Sequence, residues 1–229
     1  MGNLRINFTG DFSPHALPRD RPAPLTVHVA GAISTADGTH PPALRKIEIE
    51  LNRSGRISTV GLPVCTSAKL QSTTAEAALA RCRPALVGRG SFGADVDFPS
   101  PFPAKGSMLA FNGKRNGRPV LLLHLYGTAP VQTTFVLTLT IKHEPKGQFG
   151  TVLSAQIPTL AGGVGSVSQI ELTIGRNYTY RGQRRSFISA SCAAPAGFTA
   201  VPFSLARGNF YFVDGKKIAT TLARDCRVR

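Results

Sequence analysis

Residues 46–52 read Lys-Ile-Glu-Ile-Glu-Leu-Asn. Ile47, Ile49 and Leu51 alternate with charged and polar residues, so an extended strand here has one apolar face and one polar face. Such strands are typical of antiparallel sheets that pack one face on a core and expose the other. The stretch therefore predicts an all-β fold built largely from half-exposed strands.

The same alternation recurs along the chain, in residues 135–141 and again in residues 169–174. A continuous apolar run over residues 120–125 predicts a strand covered on both faces. Asp214-Gly215 separates two strand-like segments and predicts a tight hairpin. Together these patterns predict an antiparallel β-sandwich, either jelly-roll-like or made of two packed, similar β halves.

One segment departs from the strand pattern. Thr73 and Glu76 have the spacing of a helix capping box, and they precede a short alanine-rich stretch. The sequence therefore predicts one short helix over residues 74–81.

A weak internal repeat is the most informative feature of the chain. Residues 46–51 resemble residues 169–174, and each stretch is followed by a serine-bearing strand and a cysteine. Further along each half, Arg-Gly-Ser-Phe at residues 89–92 matches Arg-Gly-Asn-Phe at residues 207–210. Similar strings in the same order are typical of duplication, although chance similarity between β-rich segments would give a weaker version of the same pattern.

The repeat divides the chain into a first β half over residues 1–130 and a second over residues 131–229. A long flexible linker is absent from the sequence, so we expect the halves to pack together as one unit. The pattern leaves open whether they form one sandwich or two.

The four cysteines of the chain indicate in which cellular compartment the protein is found. Cys65, Cys82, Cys192 and Cys226 form no CxxC pair and have no histidine at zinc-ligand spacing. We expect disulfides between Cys65 and Cys82 and between Cys192 and Cys226, because each closes a short loop within one half. Four reduced thiols in a cytosolic protein are the alternative.

The formal net charge is +15, which favours polyanions as partners. No apolar run is long enough to span a bilayer. The chain begins without a charged start and an apolar stretch, so we expect that any export signal has been removed.

Motifs of catalysis and cofactor binding are missing or out of context. Gly88 to Gly93 match GxGxxG, but an alternating strand follows where a dinucleotide site needs a helix. His124 lies in an apolar run, which favours a structural role. The sequence therefore predicts no catalytic residue, no cofactor and no metal site.

A basic hairpin is the candidate binding site. Arg181-Gly182 predicts a turn, and the side chains that we expect to bind a ligand are Tyr178, Tyr180, Arg181, Arg184 and Arg185. Tyrosines among arginines can stack on sugars or bases and contact anions. Basic residues on a hairpin also serve simply to protect a sheet edge.

Three strings carry a resemblance to a known family: residues 149–153 (Phe-Gly-Thr-Val-Leu), residues 55–65, and residues 222–226 (Leu-Ala-Arg-Asp-Cys). They resemble small exported proteins of soil actinobacteria, a family without an assigned activity. The likeness covers the chain from about Ser13 onward. It implies export and a common fold, and it assigns no site residues.

These observations lead to one leading expectation and two alternatives. We expect a non-enzymatic secreted or cell-envelope protein that binds an anionic or carbohydrate polymer, with nucleic acid not excluded as a partner. The first alternative is a structural protein that self-assembles into a fibre, shell or surface layer. The second is a glycan-active enzyme without a recognisable motif.

Overall fold

The structure is a computed structural model, and it describes residues 3–97, 101–129, 132–159 and 165–229. The fold is all-β, as the alternating strands predict. The boundary predicted between residues 130 and 131 lies outside the described residues.

The strands are β1 (Leu4–Ser13), β2 (Ala16–Leu17), β3 (Ala23–Pro24), β4 (Thr26–Thr35), β5 (Leu44–Asn52), β6 (Gly55–Ile57), β7 (Leu86–Asp97), β8 (Pro101–Arg115), β9 (Arg118–Gly127), β10 (Thr133–His143), β11 (Phe149–Gln156), β12 (Gly165–Ile174), β13 (Asn177–Tyr180), β14 (Gln183–Ser186), β15 (Ile188–Ala190), β16 (Ala200–Phe212) and β17 (Lys217–Val228). The helices are α1 (Ser67–Leu70) and α2 (Ala75–Cys82), and a 3₁₀ turn follows over Arg83–Ala85.

Within the described residues, twelve strands form one large sheet in the order β1-β4-β12-β7-β8-β9-β10-β11-β5-β16-β17-β2. Neighbours are antiparallel except for the short parallel pair of β17 and β2. The sheet curls until β1 approaches β17, where Asp11 Oδ1 lies 4.0 Å from Arg224 Nε. The large sheet is therefore barrel-like and nearly closed.

The predicted sandwich is not confirmed, because the long strands belong to one curled sheet rather than to two facing sheets. Alternation indicates only that each strand has one apolar face. A sheet that curls on itself buries those faces against one another just as two layers would.

One end of the large sheet is covered. The connections after β1, β5 and β12 leave the sheet at this end, which we call the capped end, and they contribute β3, β6 and β15 to a small three-stranded sheet. Ile188 and Ala190 of β15 belong to the same apolar cluster as Leu121 and Leu123 of the large sheet. The small sheet therefore closes the interior at the capped end.

The helices lie outside the large sheet. The predicted helix is present as α2, but its N-cap is Thr74, whose hydroxyl accepts a hydrogen bond from the Ala77 N–H. Thr73, which the capping-box spacing predicts as the cap, instead donates its hydroxyl to the Leu70 carbonyl at 2.7 Å. The spacing fails by one residue because the preceding one-turn helix α1 gives Thr73 a different partner.

Strand β9 is covered on both faces, as the run over residues 120–125 predicts. Leu121 and Leu123 point into the main cluster, whereas Leu122 packs against a second cluster that includes Leu70 and Ala78 of the helices. The helices therefore supply the outer cover of this part of the sheet.

Both predicted cysteine pairs lie at disulfide distance. Cys65 and Cys82 have Cα atoms 5.6 Å apart, and those of Cys192 and Cys226 are 5.8 Å apart. The first pair joins the start and the end of the helical segment. The second ties the connection after β15 to the last strand.

The two similar stretches occupy corresponding places in the sheet. Ile47 lies opposite Phe210 in the pairing of β5 with β16, and Ile170 lies opposite Phe92 in the pairing of β12 with β7. Residues 47–50 therefore pair with residues 207–210 (Arg-Gly-Asn-Phe), and residues 170–173 pair with residues 89–92 (Arg-Gly-Ser-Phe), in matching register. Strand β5 lies among strands from beyond residue 131, and β12 lies among strands from before residue 130.

Candidate functional site

The predicted binding hairpin is formed by β13 and β14. Arg181 and Gly182 both have positive φ, 52° and 73°, which is the geometry of a tight two-residue turn. Tyr178 lies opposite Arg185, and Thr179 lies opposite Arg184. The turn predicted at Arg181-Gly182 is confirmed.

The five predicted residues do not share one face of the hairpin. Residues opposite each other in an antiparallel pair lie on the same face, and successive residues alternate. Tyr178, Tyr180 and Arg185 therefore share one face, whereas Arg184 lies on the other. Arg181 stands in the turn between the two strands.

The tyrosine face packs on a neighbouring turn of the same chain. The Tyr178 hydroxyl donates to the Val60 carbonyl at 2.7 Å. The Tyr180 ring lies against Gly61, and the guanidinium carbons of Arg181 and Arg185 lie 5.3 and 5.8 Å from the centre of that ring. The tyrosines thus dock the hairpin, and their role as stacking platforms for a ligand finds no support in this geometry.

The docking brings two basic segments together. We call residues 53–62 and 175–190 the basic cap; they meet through the tyrosine contacts and through the pairing of Ser189 with Arg56 in β15 and β6. Their sequence holds six arginines and no Asp or Glu. The arginines of the basic cap are Arg53, Arg56, Arg176, Arg181, Arg184 and Arg185.

Two of these arginines stabilise the loops around the cap. The Arg53 guanidinium donates to the carbonyls of Glu144, Pro145 and Phe149 at 3.1 to 3.2 Å. Arg176 Nη1 donates to the Leu86 carbonyl at 2.7 Å. A carbonyl group does not neutralise a guanidinium, so the positive charge of both residues remains.

In the described part of the chain the arginines of the cap have no carboxylate partner, whereas Lys46, Arg207, Lys216 and Arg224 on other surfaces each have one. Among the described residues, none of its six arginines makes an ion pair within 4.0 Å. Arg56, Arg181 and Arg184 are also exposed. Their charge is therefore directed to solvent, where it can attract an anion.

The outer face of β5, β16 and β17 provides the contrast. Arg207 pairs with Glu50, and Lys46 Nζ lies 2.7 Å from Glu48 Oε1. The Tyr211 hydroxyl donates to Glu48 Oε2 at 2.8 Å, which raises the pKa of Tyr211 above its ordinary value. Lys46 holds the pKa of Glu48 below its ordinary value, chiefly by hydrogen bonding. Lys46 and Arg207 are therefore neutralised within the protein.

His124 has the structural role that its apolar surroundings predict. It is fully buried, and its Nε2–H donates to the Thr73 carbonyl at 3.0 Å. Burial lowers its pKa, because the charged ring would lose its hydration. The ring thereby connects β9 to the link between α1 and α2.

Another histidine has an acid and a hydroxyl beside it. His28 Nδ1 lies 3.1 Å from Thr173 Oγ1, and its Nε2 lies 3.9 Å from Glu171 Oε1. The side chains of His28 and Glu171 are 42% and 52% exposed on the outer face of β4 and β12. Activation of a hydroxyl requires such a group, but it also requires walls that exclude water, and these half-exposed side chains are open to solvent.

Sequence reasoning found the hairpin and missed Arg53, Arg56 and Arg176. The sequence feature that indicates these arginines is the distribution of acidic residues, because residues 53–75 and 175–213 contain no Asp or Glu. Two acid-free segments predict a strongly positive surface wherever the fold brings them together.

Among the described residues, no helix is both long and apolar enough to cross a bilayer. Comparison of the chain with known protein families, with curated proteins and with solved structures finds no match.

Proposed function

We propose that this chain is a non-enzymatic, secreted or cell-envelope protein that binds an anionic polymer through the basic cap. The observation that carries the proposal is the cluster of six arginines without a carboxylate partner among the described residues. A polymer with many negative groups gains from several such contacts at once and releases its counterions.

The residue type supports an oxyanion ligand. Every cation of the cap is an arginine, and the planar guanidinium binds phosphate, sulfate or carboxylate groups with two parallel hydrogen bonds. Neutral carbohydrate is the weaker candidate, because Tyr178 and Tyr180 are engaged with Val60 and Gly61.

The support beneath the cap favours binding without rearrangement. The hairpin is docked on residues 60–61, and β15 belongs to the small sheet that closes the interior. The nearby pair Cys192–Cys226 constrains the chain that follows β15. A preformed surface loses less conformational freedom on binding than a mobile one.

The location is part of the proposal. Two cysteine pairs at disulfide distance fit an oxidising compartment, and the resemblance to exported actinobacterial proteins points the same way. We therefore place the polymer outside the cytosol, at the cell envelope or in the medium.

The test measures binding of labelled heparin, polyphosphate, duplex DNA and neutral dextran over a series of salt concentrations. The cap variant carries Arg56→Gln, Arg181→Gln and Arg184→Gln. The control variant carries Arg5→Gln, Arg45→Gln and Lys105→Gln, which are exposed, lie towards the opposite end of the sheet and remove the same charge.

We expect one anionic polymer to bind with an affinity that falls as salt rises, and we expect the cap variant to bind at least tenfold more weakly while the control stays within about threefold of wild type. Equal weakening in both variants would mean that net charge alone attracts the polymer. Absence of binding to every anionic polymer would contradict the proposal.

Self-association is the second candidate, and exposed apolar side chains favour it. Phe198 and Val213 are 61% and 62% exposed. Light scattering that rises with protein concentration, and that Phe198→Ser suppresses, would support assembly in place of polymer binding.

A further inference from the structure

The interior of the large sheet is wider than its own side chains can fill. Eight strands suffice to enclose a core of side chains, and additional strands widen a closed sheet in proportion. In the described part of the chain twelve strands surround the interior, and the small sheet covers its capped end. The physical expectation is unfilled space along the axis.

A cavity of about 160 Å³ occupies that space. Its wall extends from Ile57 and Ile188 near the capped end to Ile6 and Ile33 near the opposite end. Among the described residues the lining is apolar apart from Ser168 and Gln169 on β12, and none of these lining residues is charged.

The exposure of individual side chains is independent support for open space inside the large sheet. Ile47, Ile49 and Leu51 point inward, since each lies two residues from the next on a strand whose Glu48 and Glu50 form ion pairs on the outer face. Yet all three are only partly buried, unlike Leu121, which is 1% exposed. Inward side chains of a filled core would be fully buried, so these border open space.

The chemistry of the wall defines the occupant. Transferring a charge into such surroundings is costly, and no described residue of the lining supplies a counter-ion. Water is also disfavoured, because each molecule needs two to four polar partners. An engineered apolar cavity of about 150 Å³ stays dry and takes up benzene.

We propose that the interior of the large sheet is a binding site for a small uncharged apolar molecule, the size of a single aromatic ring or a short aliphatic chain. Such a molecule would restore the dispersion contacts that the cavity lining lacks. Pockets for drug-sized ligands have volumes of about 300 to 1,000 Å³, so a long-chain lipid exceeds the cavity of about 160 Å³. The site is separate from the basic cap and does not depend on the polymer proposal.

The first test uses benzene as the probe, with thermal unfolding as the readout. Wild-type protein is unfolded at several benzene concentrations, and a ligand that binds the native state raises the midpoint as its concentration rises. Calorimetric titration then gives the dissociation constant. We expect a saturable shift with benzene and a much smaller one with phenol, whose hydroxyl would lose its hydrogen bonds.

Ala155→Leu is the filling variant, because Ala155 is buried at the cavity wall and leucine adds three carbons there. Ala219→Leu is the matched control, since residue 219 is exposed on β17. We expect Ala155→Leu to weaken benzene binding at least tenfold and Ala219→Leu to leave it unchanged.

Leu153→Ala tests the site by enlarging the cavity instead of filling it. It also tests the proposal if Ala155→Leu fails to fold. Leu153 lines the cavity, so its truncation enlarges the space. We expect this variant to bind naphthalene, which wild type should bind at least tenfold more weakly. Absence of a benzene shift in wild type, or benzene binding that Ala155→Leu leaves intact, would overturn the proposal.

The cap variant separates this site from the polymer site. Arg56→Gln, Arg181→Gln and Arg184→Gln should leave benzene binding within about threefold of wild type, because none of the three residues lines the cavity. Failure of polymer binding would therefore not affect this inference.

Discussion

The ring of Tyr180 lies on Gly61 so closely that a Cβ atom at residue 61 would come within 2.2 Å of Tyr180 Cγ. Gly61 also has a φ of +81°, which side chains disfavour. Both the backbone conformation and the ring contact therefore require glycine, and together they fix how the β13–β14 hairpin sits in the basic cap.

Gly61→Ala should displace the hairpin. The methyl group would force the Tyr180 ring away and strain the backbone, so we expect a loss of about 2 to 4 kcal/mol in the free energy of unfolding. Urea unfolding followed by tyrosine fluorescence measures it. Gly117→Ala is the control, since Gly117 has a φ of +77° and a Cβ atom there would meet no other atom within 4 Å. Equal losses in the two variants would contradict a role for the ring contact.

The two cysteine pairs should contribute unequally to stability. The chain-entropy relation gives about 3 kcal/mol for a separation of 17 residues and about 4 kcal/mol for 34. We compare Cys65→Ala/Cys82→Ala with Cys192→Ala/Cys226→Ala by urea unfolding. All four cysteines are buried, so the packing losses are similar. A double variant as stable as wild type would contradict the corresponding bond.

His124 should make stability depend on pH. Its pKa in the folded state lies below the unfolded value, about 6.5, so between those two values the unfolded chain binds more protons. Its contribution to stability is therefore complete above about pH 6.5 and falls as pH falls, by at most about 1.4 kcal/mol per pH unit.

The measurement compares the free energy of unfolding of wild type and His124→Gln across this pH range. Glutamine keeps an N–H donor for the Thr73 carbonyl and does not titrate. We expect the difference between the two proteins to be flat above about pH 6.5 and to change below it. A constant difference at every pH would exclude this titration.

Tyr211 should titrate at higher pH than an ordinary tyrosine, because its hydroxyl donates to Glu48 and ionisation would break that bond. Ultraviolet absorbance of phenolate follows the four tyrosines of the chain. Glu48→Gln should lower the pKa of one of them, whereas Glu171→Gln, on a distant strand, should not. An unchanged titration curve in Glu48→Gln would contradict the hydrogen bond.

The sequence predicts strands, turns and the helix because these depend on nearby residues. The alternation of Ile47, Ile49 and Leu51 identifies an inward face, and Asp214-Gly215 identifies the hairpin between β16 and β17. Neither pattern identifies the neighbours of β5, which are β11 and β16. Register and partner depend on side chains far along the chain, so the number of sheets was not accessible from periodicity.

In the candidate site too, local features could be predicted from the sequence and long-range contacts could not. The turn at Arg181-Gly182 follows from local residues, and the arginines around it are visible in the sequence. The docking of Tyr180 on Gly61 joins positions 119 residues apart and has no local signature. The tyrosines therefore face the protein. Their spacing in the sequence is equally compatible with a position facing solvent.

The positions of β5 and β12 in the sheet determine the order in which parts of the chain can fold. Strand β5 can pair with β11 and β16 only after residues 149–156 and 200–212 have been synthesised. The pairing of β4 with β12 likewise requires residues 165–174. Such a topology has a high contact order, which slows folding. Until residue 212 has been synthesised, these strands remain open to mispairing with other nascent chains. Folding of the early strands therefore depends on strands that are synthesised much later.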